Sequence, residues 1–335
     1  MMLRRSAVIV AVAAAGLLLA GCSGPGASTG SGGASGGASA LPANCKSDKP
    51  TLAVSLPNTV NPYYVAMRQS FIDNGAKAGF TVKVAIANDS DSSQLAQVQS
   101  FIQQNVCVVA LNPVTSGPGA AEVNLLTKAH IPVFTVNIDA DRDQVKSGGG
   151  SIVEYVGADQ KEGGKVMADA ALEDLGSKPA VVGIAGEPNE TVTVDRDKAF
   201  EAEITAKSST SKVVASVDTK VDPQVSLQVV TEMLQGHPEI NTVFADTGPA
   251  AVGSIQAIKQ LGLSGKVTLY AFCAANTKLD SVLYRGCAAQ QPSLYAQIVA
   301  DNAAKFIKGE TVPEMVFQPV KVFTEGQQPA EDELG

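Results

Sequence analysis

From Lys49 to Glu325 short apolar runs of strand length alternate with segments of helix length, and the series runs through twice. The first series has strands at Leu52–Leu56, Val82–Ala87, Val106–Leu111, Ile131–Val136 and Ile152–Val156. A second follows at Ala180–Ala185, Val213–Val217, Thr242–Ala245, Val267–Phe272 and Cys287–Gln290, with a last strand at Val320–Thr324. The spacing predicts helices from Asp91-Ser92, over Gln160–Leu175, after Asp222-Pro223 and over Ser293–Lys308. Strands separated by helices of about 10–15 residues give parallel, doubly wound sheets. Two such series give an α/β protein of two lobes, with strand ends facing a common cleft.

The stretch Leu52–Tyr64 shows what those strand ends offer. An apolar run breaks at Pro57-Asn58, and Asn61-Pro62 opens a helix, Asn as N-cap and Pro at the first helical position. Tyr63 and Tyr64 then stand at the carboxyl end of a strand, where open α/β sheets bind ligands. Two core tyrosines in an ordinary strand–turn–helix is the competing reading.

The chain carries its own address. Arg4 and Arg5 precede an apolar run from Ala7 to Ala20 that ends in Leu19-Ala20-Gly21-Cys22. The run is too short to span ~30 Å of hydrocarbon and reads as a secretory signal over residues 1–21. Leu-Ala-Gly-Cys resembles the lipobox of bacterial lipoproteins, which makes Cys22 the acylated residue. Residues 22–48, mostly Gly, Ser and Ala as far as Ala40, read as a tether. Loss of the two arginines takes the formal charge from −8 to −10. An acidic body without a basic run argues against nucleic acid as a partner.

Four further cysteines read first as disulfides outside the cytosol. Cys45 and Cys107 lie at the amino ends of the first and third strands, neighbours in a sheet ordered 2-1-3; Cys273 and Cys287 pair by elimination. Metal binding is the rival, and His130 and His237 give it no ligand spacing. Asp139, Asp141 and Asp143 alternate like the start of a calcium loop, but Gln144 and Gly150 stand where Gly and Glu are needed, so a solvated loop is expected. No dinucleotide fingerprint, phosphate loop or nucleophile elbow occurs, so no cofactor and no enzymatic reaction is indicated.

Several short motifs keep their order across the body: Asn61-Pro62-Tyr63-Tyr64, Leu111-Asn112-Pro113, Ile131-Pro132-Val133, Gly163-Gly164-Lys165, Asp195-Arg196 with Phe200, and Ala289-Gln290-Gln291-Pro292. In these the chain resembles the ribose-type (type I) solute-binding proteins of sugar ABC importers. The resemblance implies two Rossmann-like lobes and a three-stranded hinge near Val156–Asp159, Gln290–Pro292 and Pro319–Lys321. The lobes would comprise 49–157 with 292–319, and 158–291 with 320–335. It also implies that Asn61 bonds a ring hydroxyl, that Tyr63 and Tyr64 pack on a sugar face, that Arg196 donates a fork of hydrogen bonds, and that Gln290 acts at the hinge. Asn112, Asn137, Thr247 and Cys273 complete the implied ligand set. An inter-helix salt bridge is the alternative for Arg196.

Three positions depart from the family pattern: Asn137-Ile138 replaces Asp-Arg, Thr247-Gly248 replaces Asn-Asp, and Cys273 replaces an Asp. Each missing carboxylate removes a charge-assisted acceptor worth ~1.5–3 kcal/mol. A small polyol, a modified sugar or another sparsely hydroxylated ligand is therefore expected. The reading is a monomeric, lipid-anchored binding protein that hands a carbohydrate-like molecule to an ABC permease on the outer face of the membrane. A receptor coupled to a membrane sensor kinase is the second reading, and a glycan hydrolase the third.

Overall fold

The computed structural model describes residues 41–335. Cys22, the signal and the tether up to Ala40 lie outside the described residues. Residues 41–48, read as tether, are folded: Ala43–Lys46 forms a 3-10 turn, and Asn44 Oδ1 accepts from the Thr51 amide at 2.6 Å.

Among the described residues twelve strands divide between two six-stranded sheets. The first holds β1 (Thr51–Leu56), β2 (Thr81–Ile86), β3 (Val108–Leu111), β4 (Val133–Val136), β5 (Glu154–Ala158) and β11 (Met315–Gln318), in the order β11-β5-β4-β3-β1-β2. All its pairings are parallel. The second holds β6 (Val181–Gly186), β7 (Lys212–Asp218), β8 (Thr242–Ala245), β9 (Thr268–Phe272), β10 (Tyr284–Ala289) and β12 (Lys321–Thr324), ordered β12-β10-β9-β8-β6-β7. Only β12 runs antiparallel there. The helices are α1 (Pro62–Lys77), α2 (Asp91–Gln103), α3 (Ser116–Lys128), α4 (Arg142–Ser147), α5 (Gln160–Leu175), α6 (Thr191–Lys207), α7 (Pro223–Gly236), α8 (Gly248–Gln260) and α9 (Pro292–Ile307). The chain crosses between sheets at Asp159, at Gln290–Gln291 and at Pro319–Val320.

Local chemistry sets the element ends. Asn61 Oδ1 accepts from the Tyr63 amide at 3.0 Å and Pro62 opens α1; Asp222 and Pro223 do the same for α7. Gly163 and Gly164 serve packing: a Cβ at 164 would collide with the Arg196 carbonyl, and one at 163 with the Phe272 ring. Only with both glycines can α5 lie against α6 and β9, the two elements that carry Arg196 and Phe272.

The expected solvated loop at Asp139–Gly150 contains the short helix α4, because Asp141 Oδ1 accepts from the Gln144 amide and caps it. The strand β11 escapes the sequence reading; it is a half-exposed edge of four residues with no long apolar run. Both cysteine pairs are bonded. Cys45–Cys107 has Cα atoms 4.7 Å apart beside the start of β3, and Cys273–Cys287 has them 4.9 Å apart across β9 and β10. Among the described residues no group of His, Cys, Asp and Glu is placed to hold a metal.

Candidate functional site

The carboxyl ends of both sheets face one another, and the loops after β1, β4, β6 and β8 meet there with the hinge. Asn61, Tyr63, Tyr64, Asn137, Glu190, Val192, Arg196, Thr247, Gln290 and Gly335 line this crevice. The void they enclose is about 20 Å³, little more than one water requires. Ser116 Oγ and Thr191 Oγ1, 3.1 Å apart at the starts of α3 and α6, join the lobes across it. A ligand of sugar size therefore enters only when the lobes part.

The first lobe presents an aromatic, neutral wall. Tyr63 and Tyr64 meet edge to face, with ring centroids 5.4 Å apart, and both belong to the core of that lobe as well as to the crevice. Burial pushes both phenols well above their ordinary pKa. The Tyr63 hydroxyl donates to Asn137 Oδ1 at 2.9 Å, and the Tyr155 hydroxyl donates to the Asn137 carbonyl at 2.8 Å. Asn137 holds the left-handed backbone conformation (φ 61°), which Asn tolerates better than most residues. The oxygen of Asn61 is committed to capping α1, so the residue offers a ligand its Nδ2 as donor.

The second lobe presents charge. Arg196, 2% exposed on α6, lies 3.7 Å above the Phe272 ring centroid. Its Nε donates to Gln160 Oε1 at 2.7 Å and its Nη1 to the Asp246 carbonyl at 2.6 Å. Two of its donors are engaged internally, Nη2 makes no hydrogen bond among the described residues, and no carboxylate among them pairs with it as the alternative salt bridge would require. Gln160 Nε2 in turn donates to Gln290 Oε1 at 3.2 Å, so the guanidinium is tied to the hinge. Glu190, Asp197 and Asp246 lie near this cation, and Glu187 lies beside Asp246. Asp246 Oδ2 accepts from the Glu187 amide at 2.7 Å, while Oδ1 of Asp246 and of Asp197 are buried without a partner. Burial raises both aspartates above the usual carboxylate range, with repulsion from Asp246 adding to it at Asp197 and repulsion from Glu187 at Asp246. Glu190, half-buried at the crevice, is pushed up to about 8 by burial first and by Glu187 and Asp246 next. Thr247 Oγ1 caps α8 by accepting from the Ala250 amide at 3.3 Å.

Two residues of the implied ligand set stand elsewhere. Asn112 is fully buried beneath the crevice, where its Nδ2 faces Met67 Sδ at 3.7 Å and its carbonyl accepts from Gln94 Nε2. The strand end after β3 turns this side chain into the core. Cys273 is buried in its disulfide and borders a side groove. Missed by the sequence were Glu190, Val192 and Gly335; no motif marks them, although Glu190 stands six residues before Arg196 on the same loop and helix.

A family model described as a periplasmic binding protein domain matches residues 52–311. The chain belongs to that family. It is a family of binding proteins, of type I fold, rather than of enzymes. A ribose import binding protein of Bacillus subtilis is 27% identical over 290 residues, covering 85% of this chain and 91% of that protein. A solved structure from Mycobacterium smegmatis in complex with beta-D-fucofuranose superposes with a TM-score of 0.72 at 25% identity, over 83% of this chain and 92% of that one. An ABC transporter solute-binding protein of the same organism, solved with glycerol, gives 0.75 at 22% identity over 83% and 95%, which supports the fold.

Proposed function

We propose that this protein is the extracytoplasmic solute-binding component of an ABC importer, held to the membrane by a lipid on Cys22. It takes a compact carbohydrate-like ligand, a sugar, polyol or modified sugar, and presents it to the permease. One observation carries the reading: polar and aromatic side chains from both lobes and the hinge converge on one crevice. Asn61, Tyr63, Tyr64 and Asn137 supply a stacking wall and amide groups, Arg196 a free guanidinium nitrogen, and Gln290 the hinge. Aromatic faces suit the C–H side of a sugar, and placed polar groups fix its orientation. Glu190 supplies a carboxyl where the sequence pattern lacks its aspartates.

Function follows from differential binding. A ligand touching both walls binds the closed form more tightly than the open one and shifts the hinge equilibrium toward closure. Since no Trp is present, thermal shift is the better assay. A panel of sugars and polyols should contain a ligand that stabilises by ~2.7 kcal/mol at 100 times its Kd. A panel including ribose and furanoses that raises the melting temperature nowhere would sink the carbohydrate reading.

A further inference from the structure

After β12 the chain does not simply leave the hinge. Glu333 Oε1 pairs with Lys321 Nζ at 2.6 Å, and Leu334 exchanges two backbone hydrogen bonds with Gln290, at 2.6 and 3.1 Å. The Leu334 side chain, 2% exposed, enters the core of the first lobe, the same cluster that holds Tyr63 and Tyr64. Gly335 belongs to the other lobe: its amide donates to the Cys273 carbonyl and its carbonyl accepts from the Gly248 amide, both at 3.0 Å. Two consecutive residues therefore strap both lobes to the hinge, and Gly335 reaches the crevice wall.

The fit leaves no room for larger residues. A Cβ at Gly335 would stand 2.6 Å from the Cys273 amide nitrogen and collide with Phe272. One at Gly248 would stand 2.7 Å from the Cys273 carbonyl oxygen and 3.1 Å from that of Gly335. Positions 248 and 273 are two of those at which the sequence departs from the family pattern, and both bond to the strap through their backbones. The matched family residues end at 311, well before it. Phe272, under the Arg196 guanidinium, and Gln290, linked to Arg196 through Gln160, are the strap's other neighbours.

We propose that Leu334 and Gly335 form a specificity element of the ligand site. Gly335, seated between Gly248 and Cys273 of the side groove, forms part of the crevice wall, so that a compact ligand fits and a larger, fully hydroxylated ring does not. The strap also positions Arg196 through Phe272 and Gln290. The inference rests on the binding role proposed above, with ligand size as its added content.

The test compares the full chain with two variants, one lacking residues 330–335 and one carrying Gly335→Ala. Glycerol, D-ribose, D-allose and myo-inositol serve as probes, titrated by calorimetry. In both variants the ratio of affinity for D-allose or myo-inositol to that for glycerol or D-ribose should rise about tenfold, the scale of one misfitted group. A ranking unchanged within about twofold, or a uniform loss across all four, overturns the proposal, because a merely structural strap would weaken every ligand alike. If the deletion does not fold, Gly335→Ala decides. If the intact chain takes none of the four, the carbohydrate reading fails, and amide exchange judges the strap separately. Slow exchange at the Gly248 and Gln290 amides that becomes fast on deletion supports a seated strap; fast exchange in the intact chain removes it.

Discussion

The two walls of the crevice solve different problems. The first lobe contributes shape: Tyr63, Tyr64 and Tyr155 are locked by Asn137, and its buried acids lie away from the ligand. Glu154, pushed up to about 7 by burial, accepts from Asn302 Nδ2 at 2.8 Å, and Glu122, pushed up to about 8, sits within α3. The second lobe contributes charge: Glu190 and Arg196 line the crevice, and Glu187, Asp197 and Asp246 lie behind them. A rigid apolar wall selects by fit. A charged wall selects by which polar groups the ligand brings, and the buried, unpartnered aspartate oxygens behind it make it costly to hold. The difference implies that stability and binding separate by lobe.

The largest break in that contrast is Arg196→Ala. Removing the buried cation beside Glu190, Asp197 and Asp246 should cost about 3–5 kcal/mol of stability and abolish ligand binding, measured by denaturant unfolding and calorimetry. A binding loss with stability intact would show that the acids are already neutral. Next come the disulfides, one per lobe. Replacing Cys45 and Cys107 by Ala should cost about 4 kcal/mol, since 62 residues separate them, and Cys273 with Cys287 about 3, across a separation of 14. Equal losses would indicate that strain, not loop entropy, dominates.

Tyr63→Phe is smaller. It leaves Asn137 Oδ1 without its donor, for about 1–3 kcal/mol, and should weaken binding through wall geometry while leaving the pH profile of binding alone. The smallest effect separates the lobes most sharply. Glu122, Glu154 and Glu190 all have folded pKa values raised above the unfolded 4.5, so the folded state holds extra protons between about 4.5 and 8. The stability they contribute is complete below that window and falls as pH rises through it. Glu190→Gln should remove the part of the pH dependence that appears in ligand affinity. Glu154→Gln should alter only that of unfolding, read from melts and titrations between pH 5 and 8.5. Identical profiles for the two variants would erase the contrast.

Much of the scaffold was legible because its causes are local. Asn61-Pro62 and Asp222-Pro223 announce helix starts through groups within three residues. Strand-length runs separated by helices dictate parallel pairing, and the pairing in turn brings Cys45 beside Cys107. The edge strand β11 was not legible, since a half-exposed four-residue strand has no apolar signature. Asn112 was assigned to the ligand through the family resemblance, yet the rotation of the strand end turns it inward to Met67 and Gln94. Tyr63 and Tyr64 are core residues with one edge on the crevice.

By itself the sequence determined two α/β lobes and the capped helix at Asn61 through short-range periodicity, and the Cys45–Cys107 pairing through strand order; the hinge crossings followed from the family resemblance, and Cys273 with Cys287 from elimination. Tertiary structure alone decided which groups meet. Asp246 comes beside Asp197 across 49 residues, and Gly335 seats against Gly248 and Cys273. Arg196 is held by Gln160 and Asp246 instead of standing free. Burial, and the electric environment it creates, depend on distances between segments remote in the chain, and no local spacing encodes them.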